Sequence, residues 1–248
     1  MDRLIYTAAS GMTAAMHRQR VVASNLANAQ TIGFRAETLQ STPMTLDGPQ
    51  LEVRAMHQAQ VKGAEMKAGS IISTGSQLDI AMQGDAMLAV QTFDGGEGYT
   101  RRGDLSVSPT GLLQNGEGLP VLGQNGPITV PPGSQVSISP RGDVLVGNPE
   151  APQDPPAVVD KLKLANWRGT AIEKDLTGVF RAPNNGVLPT DENAEVIVGS
   201  LEQSNVKTTE TLVDMVEAQR SFEMRTKLIA TAKELDEGGA SLMRVTPA

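Results

Sequence analysis

The sequence predicts an α+β fold in which an N-terminal and a C-terminal α-helix, packed as a coiled-coil-like pair, bracket a β-rich middle. Three observations carry this. Of 15 prolines, 14 lie between Pro43 and Pro189, and of 25 glycines, 21 lie between Gly48 and Gly199. Proline breaks helices and glycine favours turns, so the ends are free to be helical and the middle is turn-rich. Both ends carry apolar residues at helical spacing, and the middle carries short runs of period two. The expected division is a helix over 1–36, an extended linker region over 37–76, a β-rich domain over 77–200 and a second helix over 201–248.

The N-terminal stripe runs Ile5, Ala8, Met12, Ala15, Gln19, Val22, Leu26 and Ala29 in steps of three and four. One face of this helix can therefore pack against another helix. Ala8, Ala15 and Ala29, with Gly11 beside them, would let a neighbour approach closely. The helix should end between Asn28 and Gly33, where Asn and Gly favour turn conformations. Residues Glu37–Ser76 read as extended and partly irregular.

In the middle, Leu78, Ile80 and Met82 alternate, as do Leu105 and Val107, Val136 and Ile138, and Val144 and Val146. Asn115-Gly116 and Asn125-Gly126 are tight-hairpin signals. Gly95-Gly96-Glu97-Gly98 reads as a hairpin turn. A short echo joins Ser108-Pro109-Thr110-Gly111 to Ser139-Pro140-Arg141-Gly142. In each, proline at the second position and glycine at the fourth fit a type I turn. Gly147–Ala157 reads as a loop. At the C-terminal end, Thr208-Thr209-Glu210-Thr211 is a helix start. Leu212, Met215, Val216, Ala218, Phe222, Ile229 and Ala232 form one stripe, and Met224, Leu228, Leu235 and Leu242 a second, rotated one. Gly238-Gly239 interrupts the pattern. Neither helix can bury so wide a surface alone. Spacing leaves two readings open: helices that satisfy each other in a monomer, to which the pattern leans, and helices that also pack on copies of themselves.

Composition removes most chemistry. The chain of 248 residues has no cysteine, which excludes disulfides, thiolate metal sites and cysteine nucleophiles. It has two histidines, His17 and His57, and no Gly-x-Ser-x-Gly elbow, so a catalytic triad is not expected. Phosphate loops and calcium-loop spacing are missing from the sequence as well. The net charge of −7 argues against a nucleic-acid partner. The longest charge-free run, Gly118–Pro140, is broken by prolines and cannot be a spanning helix, so no membrane insertion is expected. The start, with Thr7, Ser10 and Thr13 diluting its apolar residues, reads as mature sequence rather than a cleaved leader. Arg-Gly-Asp occurs at 102–104 and 141–143, where turn chemistry explains it better than adhesion. No catalytic residue, cofactor site or metal site is assigned.

Three blocks carry a resemblance. Ser10-Gly11-Met12, Gln19, Asn25-Leu26-Ala27-Asn28, Thr31 and Gly33-Phe34-Arg35 resemble the N-terminal signature of the flagellar rod and hook proteins. Leu201-Glu202-Gln203-Ser204-Asn205-Val206 and Glu217-Ala218-Gln219-Arg220-Ser221-Phe222 are similar to that family's other end. Leu78-Asp79-Ile80-Ala81-Met82-Gln83-Gly84 and Tyr99-Thr100-Arg101-Arg102-Gly103 resemble its β-domain motif. Met82-Gln83 and Ala86-Met87-Leu88 depart from it, standing where the family more often has Ile and a bulky aromatic pair. The short length is similar to a rod member rather than the hook member. The Met-Asp-Arg start and Phe222-Glu223-Met224 look most like the proximal rod member, with the distal one as runner-up.

The resemblance implies a non-enzymatic structural subunit of the bacterial basal-body rod, crossing the periplasm and carrying torque from motor to hook. It implies export through the flagellar type III apparatus, and as partners other copies of the chain and other rod proteins. It also implies that the ends order on assembly. An assembly interface is then expected from Ile5, Ala8, Met12, Ala15, Val22 and Leu26 with Leu212, Met215, Phe222 and Ile229. Asn25, Asn28, Gly33 and Phe34 would set the turn leaving the helix. The alternative from a different class is a monomeric α+β ligand-binding protein or enzyme.

Overall fold

The structure, a computed structural model, describes residues 2–45, 55–131, 133–148, 155–175 and 177–243. Side chains are described over the same ranges except 2–7, 40–45, 55–62, 236 and 239–243. The chain forms two compact units. One comprises residues 1–27, 37–62 and 207–248, the other residues 28–36 and 63–206.

The first unit is built on two helices that pack against each other, α1 (Asp2–Ala27) and α2 (Thr208–Met243). α1 stops one residue before Asn28, as the Asn and Gly content there requires. Gly11 leaves room for the Arg225 guanidinium: a Cβ added there would lie 2.3 Å from its Nη1. Ala15, Val21 and Val22 are buried, and so is Ala218 on α2. α2 begins at Thr208 with Glu210 in its first turn, where a carboxylate suits the helix dipole. It then runs through Gly238-Gly239 instead of breaking there. Two glycines cost about 2 kcal/mol of helix propensity, too little to stop a helix already nucleated over eight turns. Glu37–Thr45 and Ala55–Ala64 pair as a two-stranded sheet, within the segment expected to be extended and partly irregular.

The second unit is antiparallel β. Its largest sheet has the order Leu164–Asn166, Ala86–Gln91, Glu97–Thr100, Phe180–Arg181, Glu173–Lys174. Gln135–Ile138, Asp143–Gly147 and Ala157–Lys161 form a three-stranded sheet. The last two strands return to early ones: Val196–Val198 pairs with Ile80–Met82, and Ser200–Glu202 with Ile71–Ser73. The large sheet is buried on both faces. Ala86, Leu88 and Val90 join a core with Ile80, Leu113, Val121 and Leu164. Met87 and Ala89 face a second cluster with Tyr99, Phe180 and Leu188. Met82, Met87 and Leu88, the departures from the family pattern, are 0–1% exposed, so unbranched and branched aliphatics fill this hairpin.

Local turn chemistry follows the sequence closely in one place and is displaced in another. Gly111 N–H donates to Ser108 O and Gly142 N–H to Ser139 O, each at 2.9 Å, and both glycines have φ near +80°. The Ser-Pro-x-Gly echo is therefore a repeated turn with one geometry. The Asn-Gly pairs mark both turns, but neither pair supplies both central residues. Gly123 pairs with Gly126, which leaves Gln124-Asn125 as the loop. After Asn115 the left-handed residue is Gly118, and Asn115 Oδ1 accepts from the amides of Glu117 and Leu119. The hairpin expected at Gly95–Gly98 turns slightly earlier, between Thr92 and Gly96, and Glu97–Thr100 is strand.

Candidate functional site

On the first unit, α2 has two unlike faces. Thr211 and Ala218 are buried, and Met215, Phe222 and Ile229 half-buried. At ~100° per residue, Val213, Val216, Met224, Leu228 and Leu235 fall within an arc of about 120° on the other side. These five are 51–67% exposed. Leu212 and Val216, grouped by spacing with Met215, lie outside the buried face, at 48% and 51% exposure. On α1, Ala15 and Val22 are buried, Ala8, Met12 and Leu26 half-buried, and Met16 exposed. Ile5 lies on α1, but its side chain is outside the described residues, as is that of Leu242. Arg18 and Glu217 approach to 3.7 Å across the helix pair. Both are about half exposed, so this contributes about 0–1 kcal/mol.

The end of α1 is fixed by side chain to backbone bonds. Asn25 Nδ2 donates to Glu37 O at 3.1 Å, and Asn25 Oδ1 accepts from Glu37 N–H at 2.8 Å. Asn28 O accepts from Thr31 N–H at 3.1 Å. Gly33 has φ +68°, and a Cβ there would stand 2.4 Å from the Arg101 carbonyl carbon, so only glycine fits. Lys174 Nζ sits 3.5 Å from the Phe34 ring centroid and donates to Arg35 O.

Within the second unit these residues lead to a buried ionic node. Arg35, Arg101 and Glu202 are 1–3% exposed. Glu202 Oε1 accepts from Arg35 Nη1 at 2.7 Å and from Gly69 N–H at 2.8 Å. Glu202 Oε2 accepts from Arg101 Nε at 2.8 Å and from Nη2. The remaining N–H groups of Arg101 reach the carbonyls of Met82, Gly84 and Ala86. Its planar fork thus serves two strand ends and a carboxylate at once, which a lysine could not do. Arg35 Nη1 also donates to Lys67 O, while its Nε has no hydrogen-bond partner among the described residues. Burial, reinforced by the Arg101 charge, pulls the Arg35 guanidinium below its ordinary value, while Glu202 opposes this.

Asn205 completes the arrangement. Its Oδ1 accepts from Ala36 N–H at 2.7 Å, and its Nδ2 donates to Glu65 O and Lys67 O. Spacing did not single out Arg35, Arg101, Glu202 or Asn205 as a site. The available signal was that each stands inside a block of the family resemblance.

The other motifs are absorbed by structure. Arg102 closes on Asp104 through two bonds of 2.8 and 2.9 Å, and a Cβ on Gly103 would lie 1.8 Å from Ile80 O. The first Arg-Gly-Asp is therefore an internal ion pair around an obligatory glycine. In the second, Asp143 accepts from the Ser139 hydroxyl that holds the turn. An open hollow of about 340 Å³ is lined by Asp94, Glu173, Lys174, Asp175 and Arg181, with Arg181 bound to Asp94. Small-molecule pockets are mostly apolar, which this lining is not. Among the described residues, no helix is long and apolar enough to cross a membrane, and no cluster of three potential metal ligands occurs.

Comparison with known proteins places these features. A model described as flagella basal body rod protein matches residues 5–35. The flagellar hook protein FlgE/F/G D1 domain matches 81–146, and the flagellar basal body rod FlgEFG protein C-terminal matches 197–242. Arg35, Arg101 and Glu202 fall one in each matched segment. The flagellar basal-body rod protein FlgF of Salmonella typhimurium is 41% identical over 247 residues, 97% of this chain and 98% of its own. FlgF of Escherichia coli is 40% identical over 240 residues, 94% and 95% of the two chains. The flagellar basal-body rod protein FlgG of Bacillus subtilis is 30% identical over 267 residues, 98% of this chain and 100% of its own. With likeness of this degree along nearly the whole length, and matched segments at both ends and in the middle, the chain belongs to the flagellar basal-body rod protein family.

Proposed function

We propose that the chain is a structural subunit of the bacterial flagellar basal-body rod, in its proximal part, and that it polymerises through its two terminal helices. The family consists of structural rod proteins, not enzymes. The observation that carries the mechanism is the set of exposed apolar side chains along α2, Val213, Val216, Met224, Leu228 and Leu235, interspersed with the charges of Glu217, Arg220 and Lys227. It extends over ~33 Å of helix, and neighbouring subunits would cover it. Burying half to two-thirds of each side chain contributes roughly 1–2 kcal/mol apiece. That helps offset the ordering and association entropy of packing a subunit into a rod. α1 and α2, already packed together, would form a coiled-coil-like element of an inner tube. A close-packed tube has low compressibility and so resists torsion, which is what carrying torque from motor to hook requires.

In this reading the partners are other copies of the chain, other rod proteins and, before assembly, the flagellar type III export apparatus. The location is the part of the basal body that crosses the periplasm. Identity of 40–41% to FlgF of Salmonella typhimurium and Escherichia coli, against 30% to FlgG of Bacillus subtilis, supports the proximal over the distal position. Labelled protein located by imaging of isolated basal bodies tests the position. Removing residues 1–29 is expected to abolish rod incorporation while the β unit still folds. Swimming cells that carry only the truncated chain would overturn the proposal.

A further inference from the structure

We infer that the Arg35–Glu202–Arg101 node is a completion latch, which lets the segment Asn28–Ala36 dock on the β unit only once the segment Ser200–Val206 has arrived. The inference rests on bonds inside one unit and does not depend on the rod reading.

Chain order supplies the first part of the argument. The two cations precede the one anion, and Glu202 lies on the last strand of the unit. Before that strand is in place, Arg101 can bond the carbonyls of Met82, Gly84 and Ala86. Docking Arg35 at that stage would bring a second guanidinium beside the first with no carboxylate present. Burying like charges without a counter-ion is strongly unfavourable, so the segment stays off.

Backbone bonds supply the second part. Gly33 N–H donates to Glu202 O at 2.8 Å, and Asn205 N–H donates to Phe34 O at 3.3 Å. Ala36 N–H donates to Asn205 Oδ1. These three bonds go to the C-terminal side, and the segment's backbone also accepts from Glu65 N–H at Ala36 O and from Lys174 Nζ at Arg35 O. The irregular segment around Gly69 waits as well, since its N–H donates to Glu202 Oε1, and a Cβ on Gly69 would stand 1.9 Å from Gln203 O. Once Glu202 enters, one carboxylate satisfies both cations and Gly69, and the pieces close together. α1 is joined to Asn28 and α2 follows Val206.

Hydrogen exchange of the full-length chain tests this residue by residue. The reporter amides are Gly33, Ala36, Glu65 and Gly69, and the reference amides are Ala89 and Val121 in the sheet core. In Glu202→Gln the carbonyl chemistry remains but the counter-charge is gone. Exchange at all four reporters is expected to accelerate at least tenfold more than at the reference amides, which register the loss of global stability. Arg35→Met leaves Glu202 and Arg101 as a balanced pair. It is expected to accelerate exchange at Gly33 and Ala36 at least tenfold while Val121 is unchanged, and it decides the matter if Glu202→Gln does not fold. Reporter exchange within twofold of wild type in the folded variants overturns the latch. So does acceleration shared equally by reporters and core, because the node would then be ordinary core bonding.

Discussion

Arg101→Met is the sharpest test of how the β unit is held together. The side chain is 3% exposed, and its N–H groups meet three carbonyls and both sides of one contact with Glu202. Methionine fills similar space but donates nothing. It leaves the carbonyls of Met82, Gly84 and Ala86 short of a donor and removes one of the two cations facing a buried carboxylate. Breaking a buried ion pair by deleting one partner costs about 3–5 kcal/mol. Unmet carbonyls belong to the same effect rather than adding in full. Against a total stability of roughly 5–15 kcal/mol, that is a large fraction. With a urea m-value of about 2 kcal/mol/M, the unfolding midpoint should fall by about 2 M. Trp167, the chain's one tryptophan, packs against the second core cluster and reports the transition by fluorescence. Arg101→Lys keeps the charge without the planar fork and should fall between wild type and Met. A midpoint shift below about 0.5 M for Arg101→Met, at unchanged m, would refute the reasoning.

Other consequences are as direct. Tyr99 OH donates to Glu97 Oε1 at 2.8 Å and accepts from Leu188 N–H at 2.7 Å, and burial pushes its phenol well above the ordinary range. Tyr99→Phe leaves a buried amide unpaired and should lower stability by about 1–3 kcal/mol in the same titration. Replacing Met224, Leu228 and Leu235 together by glutamine should change the urea midpoint of the free chain very little, because all three are exposed, yet abolish rod incorporation; normal motility of such cells would count against the α2 face. Asp94 is held well below the usual carboxylate range by Arg181, with help from Thr92 and the Gly96 amide. Its contribution is present above the unfolded carboxylate range and is lost as pH falls through the lower folded value. The wild-type advantage over Asp94→Asn, read as a difference in urea midpoint, should therefore be larger at pH 6 than near pH 2, and a pH-independent difference would contradict this.

Local signals were legible wherever neighbours in the chain settle the geometry. Ser-Pro-x-Gly specifies a turn whose donors, acceptors and left-handed glycine all lie within four residues, and both copies fold alike. The end of α1 and the start of α2 were likewise readable from Asn28 and Thr208. The Asn-Gly pairs were misleading in detail, since strand pairing chose which residues span the loop: Gln124-Asn125 in one hairpin, a wider turn ending at Gly118 in the other. Leu212 and Val216 share a stripe with Met215 by spacing but lie exposed in the fold, because apolar and charged residues alternate around α2 and spacing alone admits more than one stripe.

The node shows where reading along the chain stops. Arg101 and Glu202 are 101 residues apart, and nothing in their immediate neighbours says that they meet. Proline and glycine placement, turn chemistry and the two striped ends determine that this chain has helical termini around a β middle, because each of those preferences acts over a few bonds. Which guanidinium finds which carboxylate came from strands folding back within the β unit, and which side of α2 remains open came from its packing on α1: burial makes an unpaired charge intolerable, and only the folded chain shows who answers it.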